Sequence, residues 1–194
     1  MKSTYLIPSL LAALILALAN GCSFNHSQIS VQPSALSGGQ VLPHRAALVI
    51  SPEFKNYKHQ VHLVGETDTY PIGSALEDYA RGVAGKCFRQ VDVVSSEPDA
   101  VAAASDDLIL IPRVVKSDSS FGKRKFNLTL VVEWTAKDRA TQNTVWLKTI
   151  TATGVEPAGS AFTGYKHLRL LFQRVFDDLS PKTYEAFQAA SELK

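Results

Sequence analysis

Nine residues constrain the fold of this chain more than any others: Phe126–Trp134, FNLTLVVEW. Phe126, Leu128, Leu130, Val132 and Trp134 share one face of an extended chain. Asn127, Thr129, Val131 and Glu133 take the other. A period of two is that of a half-buried antiparallel strand. Its apolar face demands a second layer. The C-terminal third supplies one. Phe162, Tyr165, Leu168, Leu171, Phe172, Val175, Phe176 and Leu179 recur at i, i+3, i+4 spacing, which is the stripe of a helix lying on a sheet. Ser180-Pro181 is expected to start a fresh helix with proline at its first position. Tyr184, Ala186, Phe187 and Ala190 continue it to the end.

The rest of the chain supplies the sheet. Ala46–Ser51 is a continuous apolar run, as in a strand buried on both faces, and Pro52 ends it. His59, Val61 and Leu63 alternate with Gln60, His62 and Val64, a weak strand pattern. Ser74 and Glu77 then form a capping-box signature. Leu76, Tyr79, Ala80, Val83, Ala84, Cys87 and Phe88 follow at helical spacing. Val91–Val94 returns as a strand, so a parallel β-α-β unit is expected with Ala46–Ser51. A short helix is expected at Asp99–Ala104. Leu108–Val115 is a strand with Pro112 at an edge or bulge. Lys137–Thr144 is a polar turn and Val145–Thr153 the returning strand. The predicted class is α+β, with one mixed, mainly antiparallel sheet and two helices packed on one face.

The N-terminus carries an address. Lys2 precedes an apolar run from Tyr5 to Ala19, and Ala19-Asn20-Gly21-Cys22 follows. That is a secretory signal layout, too short for a span of about 20 apolar residues. Leu18, Gly21 and Cys22 resemble the bacterial lipoprotein lipobox. The resemblance implies lipidation of Cys22, with palmitate-type acyl chains, cleavage after Gly21 and acylation of the new terminus. Ser23 in place of aspartate implies the outer membrane. Residues 1–21 read as signal peptide and 22–43 as lipidated cysteine and flexible tether, spanning about 25 Å as a coil. Residues 44–194 read as a single periplasmic domain.

Charge excludes several functions. The chain has 20 Lys and Arg against 18 Asp and Glu, so no global field recruits nucleic acid. Metal-ligand clusters, Gly-x-Ser-x-Gly, His-Glu-x-x-His and phosphate loops are absent from the sequence. His59 and His62 would face opposite sides of a strand, which is wrong for joint ligation. Cys87 sits on the helical apolar stripe and reads as a buried, unpaired thiol. Gly159-Ser160 reads as a helix cap, and the pairs Asp106-Asp107 and Asp177-Asp178 as solvated loop and helix ends. One loop stands out, SDSSFGKRK, where Phe121 is followed by Lys123, Arg124 and Lys125. An aromatic beside three cations can contact phosphates or an acidic partner surface.

The element order behind a lipobox resembles the YajG-type outer-membrane lipoproteins and, in architecture, the lipopolysaccharide-assembly lipoproteins of LptE type. The resemblance carries over no functional residue beyond Cys22. The missing metal, nucleophile and phosphate-loop motifs point to a non-catalytic accessory or assembly factor of a cell-envelope complex, held at the membrane by Cys22, with Phe121, Lys123, Arg124 and Lys125 as the expected contact to an envelope protein. No cofactor and no nucleic acid are expected. The alternative is a lipid- or small-ligand-binding auxiliary lipoprotein of an envelope transport system, which predicts an apolar cavity between helices and sheet.

Overall fold

The computed structural model describes residues 39–63, 66–103, 107–122, 125–157 and 164–194, except the side chains of residues 63, 66 and 164–167. Cys22, Lys123, Arg124, Asp106, Gly159, Ser160 and Phe162 lie outside the described residues. The elements run β1 (Leu42–Val49), α1 (Pro52–Lys55), β2 (Lys58–Leu63), β3 (Glu66–Pro71), α2 (Gly73–Cys87), β4 (Phe88–Val94) and α3 (Glu97–Ala102). Three 14-residue strands follow, β5 (Leu108–Phe121), β6 (Lys125–Asp138) and β7 (Thr144–Pro157). Helix α4 (Gly164–Ala189) and a 3-10 turn at Ser191–Leu193 close the chain.

The fold is α+β. Its main sheet has the order β4-β1-β5-β6-β7, and β2 and β3 form a separate hairpin. β1 runs parallel to β4 and β5, whereas the β5–β6 and β6–β7 ladders are antiparallel. β1 is buried on both faces, as its unbroken apolar run requires. Ala46 and Leu48 face the main core beneath α2 and α4. Ala47 and Val49 face a second cluster, where Ala100 of α3 covers them together with Ile109.

β6 keeps its alternation in three dimensions. Phe126, Leu128, Leu130, Val132, Trp134 and Ala136 are buried, and the intervening residues are half-buried. Trp134 meets Tyr79 of α2 and Phe187 of α4 edge-on, with ring centroids 6.1 and 5.2 Å apart. A buried hydrogen-bond chain crosses this layer. Thr183 donates to the Leu179 carbonyl at 2.8 Å. Its only proton is then engaged, so Tyr79 donates to Thr183 at 2.6 Å and accepts from Trp134 Nε1 at 2.9 Å. Sheet, α2 and α4 are thereby pinned in one register.

α4 also closes the exposed edge of the sheet. Asp178 accepts from the backbone N–H of Thr153 at 3.0 Å, and Lys182 donates to the Thr151 carbonyl at 3.1 Å. Gly154 permits this approach, because a Cβ there would lie 2.5 Å from the Leu171 carbonyl oxygen.

Four details differ from the sequence expectations. The Ser74–Glu77 capping box does not form: α2 is N-capped by Ile72 without a side-chain bond, and Glu77 turns to Arg81 and Lys55. Phe88 begins β4 rather than ending the helix. Pro181 lies inside a continuous α4 rather than starting a new helix. An interior proline costs about 3 kcal/mol, but Leu179, Thr183 and Phe187 are buried on either side of it, and their packing holds the two halves in line. β5 extends to Phe121, through residues whose polarity suggested a loop. A register shift between Val114 and Lys116 resets its phase, so Ser117, Ser119 and Phe121 point toward the helix side while Lys116, Asp118 and Ser120 are exposed. Pro112 sits just before this bulge. β5 is an interior strand, but β1 pairs with it only as far as Leu110, so Pro112 lies where that side is open.

Candidate functional site

Three surfaces carry chemistry. The first is the β5–β6 tip that the sequence singled out. Phe121 pairs with Phe126 across the ladder, and Gly122 donates to the Lys125 carbonyl at 3.0 Å. The Phe121 ring leans on Phe126 with centroids 5.4 Å apart and is half-buried against the main core. Inward phase after the bulge is the reason. Lys125 is exposed, and Lys123 and Arg124 lie outside the described residues.

The second surface is the open side of β5. A groove of about 460 Å³ is lined by Phe54 and Tyr57 on one wall and Ile111, Pro112, Arg113 and Val114 on the other. Ser51 caps α1 by accepting from the Phe54 N–H at 3.2 Å, which turns Phe54 into the core. Arg113 is drawn away to Glu133 at 2.8 Å.

Beyond this groove the β2–β3 hairpin is riveted to β5. His59 Nδ1 lies 2.6 Å from Ser117 Oγ, and its ring stands edge-on to Phe172 at 5.4 Å. His59 is fully buried, and its Nε2 has no hydrogen-bond partner. Burial pushes its pKa down to about 4, outweighing the opposing charge of Asp118. A Ser–His pair invites comparison with nucleophile and base. Here the imidazole is a weak base at neutral pH, and no acid orients Nε2, so the pair fastens the hairpin and does not match the triad arrangement. His62, three residues on, is exposed, so the two histidines do part as expected. The alternation of His59 with Val61 was the available sign that His59 would be buried.

The third surface went unread in the sequence. β1 and β4 end side by side, Ile50 donating to the Val94 carbonyl at 2.9 Å. From β1 the chain passes to the face bearing α2, and from β4 to the face bearing α3. A crevice of about 400 Å³ opens at these two strand ends, on the side of α1 and α2. Ile50, Pro52, Val93 and Val94 form its apolar floor, and Lys55, Asn56, Glu77 and Arg81 its rim. Gly73 sets the rim, since a Cβ there would fall 1.8 Å from the Lys55 carbonyl oxygen. The start of α2 therefore abuts the end of α1. Glu77 takes two bonds from Arg81, at 2.9 and 2.7 Å, and sits 3.6 Å from Lys55. Burial pushes the Glu77 carboxyl up, but Arg81 and Lys55 outweigh it, and the net shift is downward.

Cys87 is buried, as its place on the helical stripe implied, and burial pushes its thiol up to about 12. Among the described residues there is no group of three side chains able to hold a metal, and no helix is long and apolar enough to cross a membrane.

No family model matches this chain, and no curated protein does. Solved structures do. Protein XCC0632 of Xanthomonas campestris, assigned to the family DUF330, is 15% identical with a TM-score of 0.53, over 82% of this chain and 90% of that one. A minor lipoprotein of Acinetobacter baumannii is 16% identical with a TM-score of 0.41, over 77% of this chain and 94% of that one. Lipoprotein GNA1162 of Neisseria meningitidis is 12% identical with a TM-score of 0.36, over 65% of this chain and 92% of that one. The first likeness supports the fold. None of the three singles out the YajG or LptE type.

Proposed function

We propose that this chain is a lipid-anchored accessory protein of the bacterial outer membrane, with its α+β domain in the periplasm, assisting an envelope complex without catalysis. The observation that carries the reading is Gly21-Cys22 behind the apolar run Leu10–Ala19. Two or more acyl chains on one cysteine anchor stably, at about 0.8 kcal/mol per buried CH₂. Anchoring raises the effective concentration of the domain toward neighbouring membrane proteins, so modest direct affinity suffices. The aromatic layer between α4 and the sheet is filled by Trp134, Tyr79, Phe172, Phe176 and Phe187, which supports a contact role through outer surfaces. The β5–β6 tip is the proposed contact, with Lys123, Arg124 and Lys125 supplying charge and the half-buried edge of Phe121 an apolar footing.

The test has two arms. Cys22→Ser should leave an unprocessed or soluble form; a variant that fractionates with the outer membrane like the wild type removes the anchor from the reading. Replacing Lys123, Arg124 and Lys125 with glutamate should leave folding intact and reduce crosslinking to the envelope partner. Unchanged crosslinking excludes the tip and points to the groove beside Pro112.

The second reading, a small-ligand-binding auxiliary lipoprotein, is favoured by one observation, the crevice at the ends of β1 and β4.

A further inference from the structure

We propose that this crevice binds a small organic anion, one carboxylate or phosphate on a short apolar stem. The inference deepens the second reading and does not depend on the lipid anchor or on an envelope partner.

Topology supplies the first argument. In open sheets with parallel strands, ligands settle outside the carboxyl ends of adjacent strands whose connections leave toward opposite faces. β1 and β4 meet that condition, one leading toward α2 and the other toward α3. The crevice sits at these two strand ends. Its volume of about 400 Å³ falls within the range of about 300–1,000 Å³ typical of small-molecule sites.

Chemistry supplies the second argument. The rim holds two cations and one carboxylate, leaving one positive charge unbalanced. Glu77 engages two of the five N–H donors of Arg81. The Lys55 ammonium reaches Glu77 only at 3.6 Å, beyond good hydrogen-bond length. Both cations therefore keep donors for an incoming anion, and Glu77 holds the guanidinium in place, as a positioning group does. Asn56 donates to the Pro52 carbonyl at 2.9 Å, leaving its amide oxygen as an acceptor on the same rim. The two acids of α3 do not line the crevice: Asp99 is occupied by Ser95 and Ser96 and Glu97 by Lys137.

The floor supplies the third. Ile50, Pro52, Val93 and Val94 present no charge. A purely inorganic anion would leave them wet, whereas an apolar stem covers them at about 25 cal/mol per Å².

The test follows backbone amide signals of the full-length, ¹⁵N-labelled protein in detergent on titration with butyl phosphate, inorganic phosphate and butanol. Saturable shifts at Ile50, Asn56, Arg81 and Ser95 are expected with butyl phosphate, several-fold weaker binding with inorganic phosphate, and none with butanol. Lys55→Gln with Arg81→Gln should weaken butyl phosphate at least about tenfold. Glu77→Gln keeps an acceptor oxygen for Arg81 while removing the negative charge from the rim, and should tighten it, which keeps the proposal testable if the double variant fails to fold. Absence of saturable shifts, equal binding of inorganic phosphate and butyl phosphate, or affinity unchanged in Glu77→Gln would overturn the assignment. Cys22 does not enter the readout, so failure here leaves the anchored reading standing.

Discussion

Tyr79→Phe removes one oxygen from the buried chain that links Trp134, Tyr79, Thr183 and Leu179. The ring itself is retained, so the edge-on contact with Trp134 survives. What changes is satisfaction. The Trp134 indole N–H loses its acceptor in a site with no exposure, and an orphaned buried donor costs about 1–3 kcal/mol. Thr183 keeps its bond to Leu179 but loses the donor to its own oxygen, a smaller penalty. The expected loss is about 2–3 kcal/mol, or about 4–12 °C in Tm for a chain of this size. Thr183→Val is the partner variant, because it strands the Tyr79 hydroxyl. In the double variant only the indole N–H is left unpaired, so its loss should fall short of the sum of the two single losses by about 1 kcal/mol or more. Denaturant midpoints read by tryptophan fluorescence, at unchanged m, measure all three. A Tyr79→Phe loss below about 0.5 kcal/mol, or strict additivity, would refute the buried chain.

Three further outcomes are expected. Gly154→Ala should cost about 1–3 kcal/mol through overpacking, read as a lowered Tm, because its methyl would press on the Leu171 carbonyl oxygen; an unchanged Tm contradicts the close approach of α4. His59 has a folded pKa of about 4 against 6.5 when free, so the unfolded chain binds more protons between those values. Stability should fall as pH drops from 6.5 toward 4, by on the order of 3 kcal/mol, and His59→Gln should flatten that part of the difference curve; parallel curves for the two proteins rule the assignment out. Cys87 should react slowly with thiol reagents in the folded protein and fast in denaturant, and rapid native labelling shows that the thiol is accessible.

The parts of the fold legible in sequence were those with strong periodicity. β6 read correctly because each inward residue from Phe126 to Trp134 is large and apolar. β1 read as doubly buried because its apolar run has no polar break. The C-terminal stripe announced α4, yet its continuity through Pro181 did not show, since burial of Thr183 against Tyr79 of α2 and of Phe187 against the sheet overrides a local break that propensity alone would enforce. The outer half of β5 was hidden for a similar reason. Ser117–Phe121 looks like loop, and only pairing with Leu130–Phe126 makes it strand. A bulge that shifts the phase of side chains leaves no trace in composition. The crevice was illegible because its residues come from three separate stretches, 50–56, 77–81 and 93–95. Glu77 was read as a cap; in space it is the link between Lys55 and Arg81.

The closure of the β7 edge by Asp178 and Lys182 bears on the order in which the chain is made. Thr149–Val155, TITATGV, is uncharged and rich in β-branched residues, the composition that recruits another strand when its backbone is open. Its guards lie 25 and 31 residues downstream, on α4. A nascent or truncated chain that stops before residue 178 holds the whole sheet sequence without its lock. Synthesis of α4 is therefore the step that turns a strand-recruiting intermediate into a closed sheet.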